Sequence, residues 1–156
     1  MASQAYFSVK GNIQDQFKGE ASEAQRSDKW MVVLSFAMDL KSPHDVATGQ
    51  PSERVWEPIK VVKAWGAASP QFLTACATNE VLSEVAFEFM KTSPSGEEYV
   101  YQSITLSDAT IAGVVRFTGQ PGAPQELEEV SMTFRKIELT DTDSKLSFSD
   151  DWASNR

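Results

Sequence analysis

One short helical segment interrupts a chain whose other residues mostly alternate as in β-strands. Ser69 and Pro70 predict its start, because a serine hydroxyl can accept from a free helix N–H and proline is tolerated at the first helical position. The apolar residues that follow form one narrow stripe able to pack on a sheet: Phe72, Leu73 and Cys76. Asn79 is a suitable stop, since asparagine tolerates a left-handed conformation. The sequence therefore predicts a β domain with a single helix, which is a restricted architecture.

Alternating apolar residues predict the strands on either side of this helix. Before it, residues 30–39 and 55–65 have strand patterns, the first with its even-numbered residues inward and the second with Ile59 and Val61 inward. After it, residues 81–91 form a strand whose inward side chains are Val85, Phe87 and Phe89. We expect these three side chains to pack against the helix stripe or the opposing sheet.

Two further strands follow a turn. The Ser-Pro-Ser-Gly run at residues 93–96 predicts a hairpin turn, and residues 97–106 and 110–118 have strand patterns. Several of these strands carry apolar residues on both faces. That pattern is open to two interpretations: a second chain covers one face, or both faces are covered within the monomer.

The C-terminal part predicts one long strand and a tail. Residues 126–139 form the longest strand, and a change of apolar parity near Arg135 predicts a bulge or a change of buried face. Residues 140–156 are polar and acidic, so we expect a solvated tail. A chain of 156 residues can bury a real core, and we expect one domain over residues 1–156.

The composition of the chain argues against some classes of binding partner. The net charge of -8 argues against nucleic acid, whose binding surfaces are basic, and against anionic membranes. No apolar run approaches the ~18 residues of a membrane helix. A single cysteine allows no internal disulfide, and the first ten residues lack the layout of a secretory signal. We therefore expect synthesis in the cytoplasm and no membrane insertion.

A catalytic or metal-binding set is not apparent. His44 and Cys76 could form a thiol–imidazole pair, but a loop histidine and a buried helix cysteine are more ordinary interpretations. The Asp141-Thr142-Asp143 run resembles the start of a calcium loop, yet Leu146 stands where such a loop needs glycine. We therefore expect no enzyme activity, no metal and no cofactor.

Several segments, in this order and spacing, resemble the haemolysin-coregulated protein (Hcp) family of bacterial type VI secretion. The matching segments are Gly19-Glu20-Ala21-Ser22, Val33-Leu34-Ser35-Phe36, Ile59-Lys60-Val61-Val62-Lys63, Ala68-Ser69-Pro70, Glu84-Val85-Ala86-Phe87, Tyr99 through Leu106, and Ser131-Met132-Thr133-Phe134-Arg135-Lys136-Ile137-Glu138. The resemblance runs from about Ala5 to Trp152. One departure is Ala37-Met38-Asp39, where the family often has a glycine.

The resemblance implies a fold and a mechanical role. The fold would be a barrel of two antiparallel sheets with one short helix packed outside. Six subunits would form a ring, and rings would stack head to tail into a hollow tube. A contractile sheath would drive this tube, tipped by a spike protein, out of the cell, and small effector proteins could ride in its lumen. The subunit would be secreted through this apparatus without a signal peptide.

The segment 40–54 is too long for a simple connection and contains Pro43, Gly49 and Pro51. A mobile surface loop is one interpretation. The resemblance favours an extended arm that reaches the neighbouring ring, with polar and turn residues as candidate contacts: Lys41, Pro43, His44, Asp45, Glu53 and Arg54.

Other classes of protein remain open at this point. A phage-like tail tube protein would share the fold. A β-sandwich module that binds a sugar or peptide would stay monomeric and would have a concave, aromatic-lined pocket. An enzyme is disfavoured by the missing catalytic set.

Overall fold

The computed structural model describes residues 4–20, 28–119, 121–122 and 126–151. These ranges are mainly β, with one helix, α1, at Ser69–Thr78. The strands are β1 (Ala5–Gly11), β2 (Asp15–Gln16), β3 (Met31–Val32), β4 (Ser35–Ala37), β5 (Leu40–Lys41), β6 (Val55–Trp56), β7 (Ile59–Ala64), β8 (Leu82–Thr92), β9 (Glu98–Phe117), β10 (Leu127–Thr133), β11 (Lys136–Asp141) and β12 (Leu146–Asp151). The predicted fold class is confirmed.

The strand β9 organises the fold because it belongs to two antiparallel sheets. Its first part pairs with β8 and β11, and its part from Thr110 to Phe117 pairs with β10. The first sheet has the order β2-β1-β8-β9-β11-β12, with β3 also beside β1, and the second has the order β9-β10-β7-β4. The sequence predicted two strands here. The structure has one, which passes between the sheets beside Asp108, a residue with φ of 51°.

The two sheets also meet on the opposite side of the core. The N–H of Val33 donates to the carbonyl of Ala5 in β1 at 2.9 Å, and that of Leu34 donates to the carbonyl of Val62 in β7 at 2.8 Å. The sheets therefore wrap around one core. The strand ladder does not close in the described residues, because β4 and β12 each have a single neighbouring strand there.

Aromatic rings fill the core between the sheets and the helix. Phe7 stacks on Phe87 with ring centroids 5.6 Å apart and lies 6.0 Å from Phe72 of α1. Val85 is fully buried in the same cluster, and Phe89 is partly buried against it. The apolar face of β8 therefore points into the core, toward the ring that the helix contributes.

The helix uses a different apolar set from the predicted one. Phe72 and Ala75 are buried and Cys76 packs partly against the core, but Leu73 is 42% exposed. The prediction for Leu73 was wrong. Each residue turns about 100° around a helix, so the residue after the inward Phe72 points away from the sheet.

The two ends of the helix differ in how well the sequence predicted them. Ala68, not Ser69, is the N-cap, and no side chain caps the helix there. The Ser69 hydroxyl instead accepts from the N–H of Gly66 at 2.9 Å and donates to Glu128 at 2.9 Å. At the other end Asn79 has φ of 57° and stops the helix in the left-handed conformation, as predicted.

The strand predicted over residues 30–39 is broken. It forms β3 and β4, which pair with β1 and β7 respectively, followed by β5. Met31 is buried while Val32 and Leu34 are exposed, so the predicted face was wrong for these residues. It was right for Phe36, which packs against the core beside Phe87. Because β3 and β4 lie in different sheets, the alternation of inward and outward side chains begins anew in each strand. One alternating pattern therefore cannot describe all of residues 30–39. In β7, Ile59 and Val61 are buried as predicted.

The C-terminal part is more ordered than predicted. The strand expected over residues 126–139 divides at Phe134 and Arg135 into β10 and β11, which lie in different sheets, so the predicted change of face is confirmed. The expected tail over 140–156 is wrong for residues up to 151, because β12 pairs with β11 as a hairpin. Residues 152–156 lie outside the described ranges, as do Ala21 and Ser22.

Candidate assembly surfaces

The segment that contains the long loop is a narrow β-ribbon, which we call the arm (residues 40–56). Leu40 pairs with Trp56 and Lys41 with Val55, and a further bridge joins His44 to Pro51. The N–H of Ser52 donates to the carbonyl of Pro43 at 2.6 Å. All side chains from residue 40 to residue 53 are exposed. The arm is thus an extended structure with a defined register that makes its own backbone hydrogen bonds.

The tip of the arm is folded by one aspartate. The Asp45 carboxylate accepts from the N–H groups of Ala47 and Thr48 at 2.8 and 3.3 Å, and its backbone bonds to Gly49 and Gln50. Gly49 has φ of 73°, which glycine adopts without strain. The turn leaves Val46 fully exposed at the end of the ribbon.

The base of the arm is fixed by the last described strand. Arg54 binds Asp150 through two hydrogen bonds, Nε to Oδ2 at 2.6 Å and Nη2 to Oδ1 at 2.8 Å. The indole N–H of Trp56 donates to the same Oδ2 at 2.9 Å, and its ring packs edge-on against Phe134 at 5.3 Å. The hydrogen bonds from Arg54 hold the pKa of Asp150 below its usual range. Burial acts in the opposite direction, and the hydrogen bond from Trp56 adds a smaller lowering of that pKa.

The predicted contact residues of the arm have unequal roles. Pro43, His44 and Glu53 are exposed along the ribbon. Asp45 folds the tip, Arg54 binds Asp150, and Lys41 lies 3.6 Å from Asp39 and 3.7 Å from Glu57. Three of the charges that the sequence assigned to a neighbouring ring therefore make contacts within this chain.

Sequence reasoning missed Asp150, which lies in the segment interpreted as a solvated tail. A signal was present: Leu146 and Phe148 alternate with polar residues, as in a short strand. Phe148 lies beside Trp56 with ring centroids 6.3 Å apart. The C-terminal hairpin and the arm are therefore in contact at the arm's base.

Within the two sheets of the described residues, β2, β3, β4 and β12 each pair with a single strand, and β4 and β12 are candidate edges for contact with another chain. Such edges carry backbone groups that can pair with a further strand. Exposed apolar side chains lie on or next to them: Val32, Leu34, Met38, Leu146 and Phe148. Val115 adds an exposed apolar side chain on β9.

A buried ion cluster supports the start of the helix. The ammonium group of Lys63 lies 2.7 Å from Glu128 and 3.0 Å from Glu20, and both Lys63 and Glu128 are fully buried. Arg116 donates to Glu128 at 3.0 Å and stacks over the ring of Trp65. Two cations thus face two carboxylates, and the cluster joins four separate segments of the chain.

The described residues give little support for a metal site, a membrane-spanning helix or a thiol–imidazole pair. Among the described residues, no group of three or more His, Cys, Asp and Glu side chains is arranged to hold a metal ion. The same ranges contain no helix that is long and apolar enough to cross a membrane. Cys76 lies on α1, which packs on the core, whereas His44 lies on the exposed arm. The prominent surface features of the described residues are therefore an extended arm and exposed strand edges.

Comparison with known proteins gives the family. Residues 6–140 match the model of the family described as "Type VI secretion system effector, Hcp". The chain is 32% identical over 169 residues to the "Major exported protein" of Pseudomonas aeruginosa strain PAO1, covering 99% of this chain and 98% of that protein. The chain belongs to the Hcp family of the type VI secretion system, a family of secreted structural proteins and not of enzymes.

Solved structures agree with this assignment. A crystal structure of an Hcp protein aligns with a TM-score of 0.88 at 25% identity, over 97% of this chain and 100% of that one. Secreted protein Hcp3 from Pseudomonas aeruginosa aligns with a TM-score of 0.77 at 26% identity, over 97% of this chain and 99% of that one. The resemblance noted from the sequence is confirmed.

Proposed function

We propose that this chain, as a single domain, is the repeating subunit of the inner tube of a type VI secretion system. Six copies form a ring, and rings stack head to tail through the arm. The observation that carries the proposal is the arm itself. It has a fixed register, a self-folded tip and a braced base, yet its side chains through residue 53 are exposed. A segment ordered in this way without burying its side chains is suited to a contact outside the subunit.

The contacts within a ring fall on the sheet edges in this proposal. β4 and β12 lie at the edges of different sheets, so one subunit can offer one edge to each neighbour. The exposed Leu34 and Leu146 are the apolar side chains to be covered there. A specific interface of this kind buries on the order of 1,200–2,000 Å² in total.

The contacts between rings are weaker and more polar. Pro43, His44 and Glu53 of the arm face solvent and would meet the neighbouring ring. Each exposed polar contact contributes only about 0–1 kcal/mol. Stacking therefore depends on many arms acting together and on confinement by a sheath.

The tube would have three further partners. A contractile sheath would surround it, a spike protein would sit at its tip, and effector proteins would occupy its lumen. The subunit would be made in the cytoplasm and exported through this apparatus. Its net charge of -8 disfavours nucleic acid as a partner, because nucleic-acid-binding surfaces are basic.

Two measurements on the purified protein test the proposal. Light scattering at micromolar concentration is expected to give a mass close to six times 17.2 kDa. Negative-stain images are expected to show rings with a central opening. A monomer by light scattering, with no rings in the images, would overturn the proposal and favour a monomeric ligand-binding module.

A further inference from the structure

We propose that Asp150 is the joint that fixes the direction of the arm, so that the C-terminal strand positions the stacking contact. The polar groups of both Arg54 and Trp56 at the arm's base bond to this one carboxylate. The step from a positioned arm to stacked rings rests on the proposed function. The step from Asp150 to a positioned arm does not.

The geometry of the joint restricts rotation. Oδ2 of Asp150 accepts from Arg54 Nε and Trp56 Nε1, and Oδ1 accepts from Arg54 Nη2. A planar guanidinium bound by both oxygens cannot turn about either bond alone. The indole adds a third donor from a ring that is itself packed against Phe134.

The joint is partly shielded from water. The Asp150 side chain is 10% exposed and that of Arg54 is 29% exposed. Charges in such a site are screened less by salt than exposed pairs. The next residue offers a contrast, since the Asp151 carboxylate binds Arg135 at 2.7 Å.

Because the arm is long, a small rotation at the joint moves the tip of the arm by several ångströms. Residues 40–46 of an extended strand span about 20 Å, so a rotation of ~10° at the base moves the tip by roughly 3–4 Å. A displacement of that size is enough to take a hydrogen-bonding group out of reach of its partner. A small rotation at Asp150 therefore produces a large displacement of Val46 and its neighbours at the tip.

Hydrogen exchange on the full-length protein tests this inference. In Asp150→Asn the arm amides, including those of Lys41 and Ser52, and the adjoining amide of Glu57 are expected to exchange about tenfold faster than in the original chain. The amides of β8 and β9 are expected to keep their rates. The matched control is Asp151→Asn, which removes the same charge one residue away and should leave the arm unchanged.

A second variant tests whether the two residues act as one unit. Arg54→Met is expected to speed exchange in the arm as much as Asp150→Asn does, and the double variant no more than either. A general loss of stability would instead speed exchange in β8 and β9 as well. Additive effects of the two substitutions, or equal effects of Asp151→Asn, would overturn the inference.

The outcome for the joint is separable from the outcome for stacking. Unchanged arm exchange in Asp150→Asn overturns the joint, whatever electron microscopy shows. Faster arm exchange combined with full-length tubes in the same variant supports the joint and counts against stacking by the arm.

Discussion

The core and the arm of this protein are stabilised by different interactions. Phe7, Phe72 and Phe87 are removed from water and contact one another, and burial of apolar surface stabilises in proportion to its area. The arm instead has backbone hydrogen bonds, a folded tip and one joint at Asp150. Each such bond contributes little in water. Stability therefore resides in the core, and the arm can be devoted to contacts with other chains.

The largest effect is expected from a cavity in the core. Phe87→Ala should lower the free energy of unfolding by about 3–5 kcal/mol, because it removes buried surface and leaves a void beside Phe7. Urea unfolding measures the change. Leu73→Ala is the matched control on the exposed side of the helix and should cost well under half as much. Equal losses in the two variants would mean that the inward and outward faces are assigned wrongly.

The next effect is expected at the buried ion cluster. Lys63→Met should cost roughly 3 kcal/mol, since it leaves Glu128 and Glu20 facing each other with Arg116 as the remaining cation. Lys60→Met, on the exposed face of the same strand, is the control and should change little. Urea unfolding again gives the comparison, and a tolerated Lys63→Met would show that the cluster is not important for stability.

Low pH should reduce the stability of both regions, because each contains a carboxylate whose pKa is lowered in the folded protein. Burial alone would raise the pKa of Glu80, but N–H donors from Gln14 and Ile13 outweigh it and hold that pKa below its usual range. The pKa of Asp150 is lowered by Arg54. Groups of this kind stabilise the fold above their unfolded pKa values of about 4 and lose that contribution as the pH falls through the folded values.

Urea unfolding at a series of pH values measures the acid effect. These two groups should give no change in stability between pH 6 and 8 and a steady loss below about pH 4. Glu80→Gln should reduce the steepness of that loss. An unaltered steepness in this variant would exclude Glu80 as a source of acid sensitivity.

The smallest effects are expected at the two residues that could have suggested catalysis. His44→Ala lies on the exposed arm and should change stability by about 0.5 kcal/mol or less. Cys76→Ser puts a hydroxyl against the core and should cost about 1 kcal/mol. Secretion and target killing should stay near the original level in both. Loss of an activity in Cys76→Ser with normal folding and rings would contradict the non-enzymatic assignment.

The comparison of core and arm also explains which features the sequence could predict. Val85 and Phe87 lie in a long strand with one buried face, so a period of two identified them. The helix stop at Asn79 followed from one residue's tolerance of the left-handed conformation. Features that depend on one long element, or on the conformation of one residue, could therefore be predicted from the sequence.

Features that depend on residues distant in the chain could not be predicted from the sequence. Ser69 bonds to Glu128 and not to the helix N-terminus, which only the ion cluster explains. Residues 30–39 change sheets within a few positions, so no single alternation applied. Asp150 gains its role from Arg54, 96 residues earlier in the chain. The family resemblance supplied the idea of an arm, but not the residue that braces it.

The most direct test of the central claim is to shorten the arm. A variant with residues 42–52 replaced by a short Gly-Ser linker should unfold in urea close to the original chain, because those side chains are exposed. Light scattering should still give single rings, while negative-stain images should show no stacked tubes and secretion should fall. Stacked tubes and normal secretion in the shortened variant would contradict the claim that the arm joins the rings.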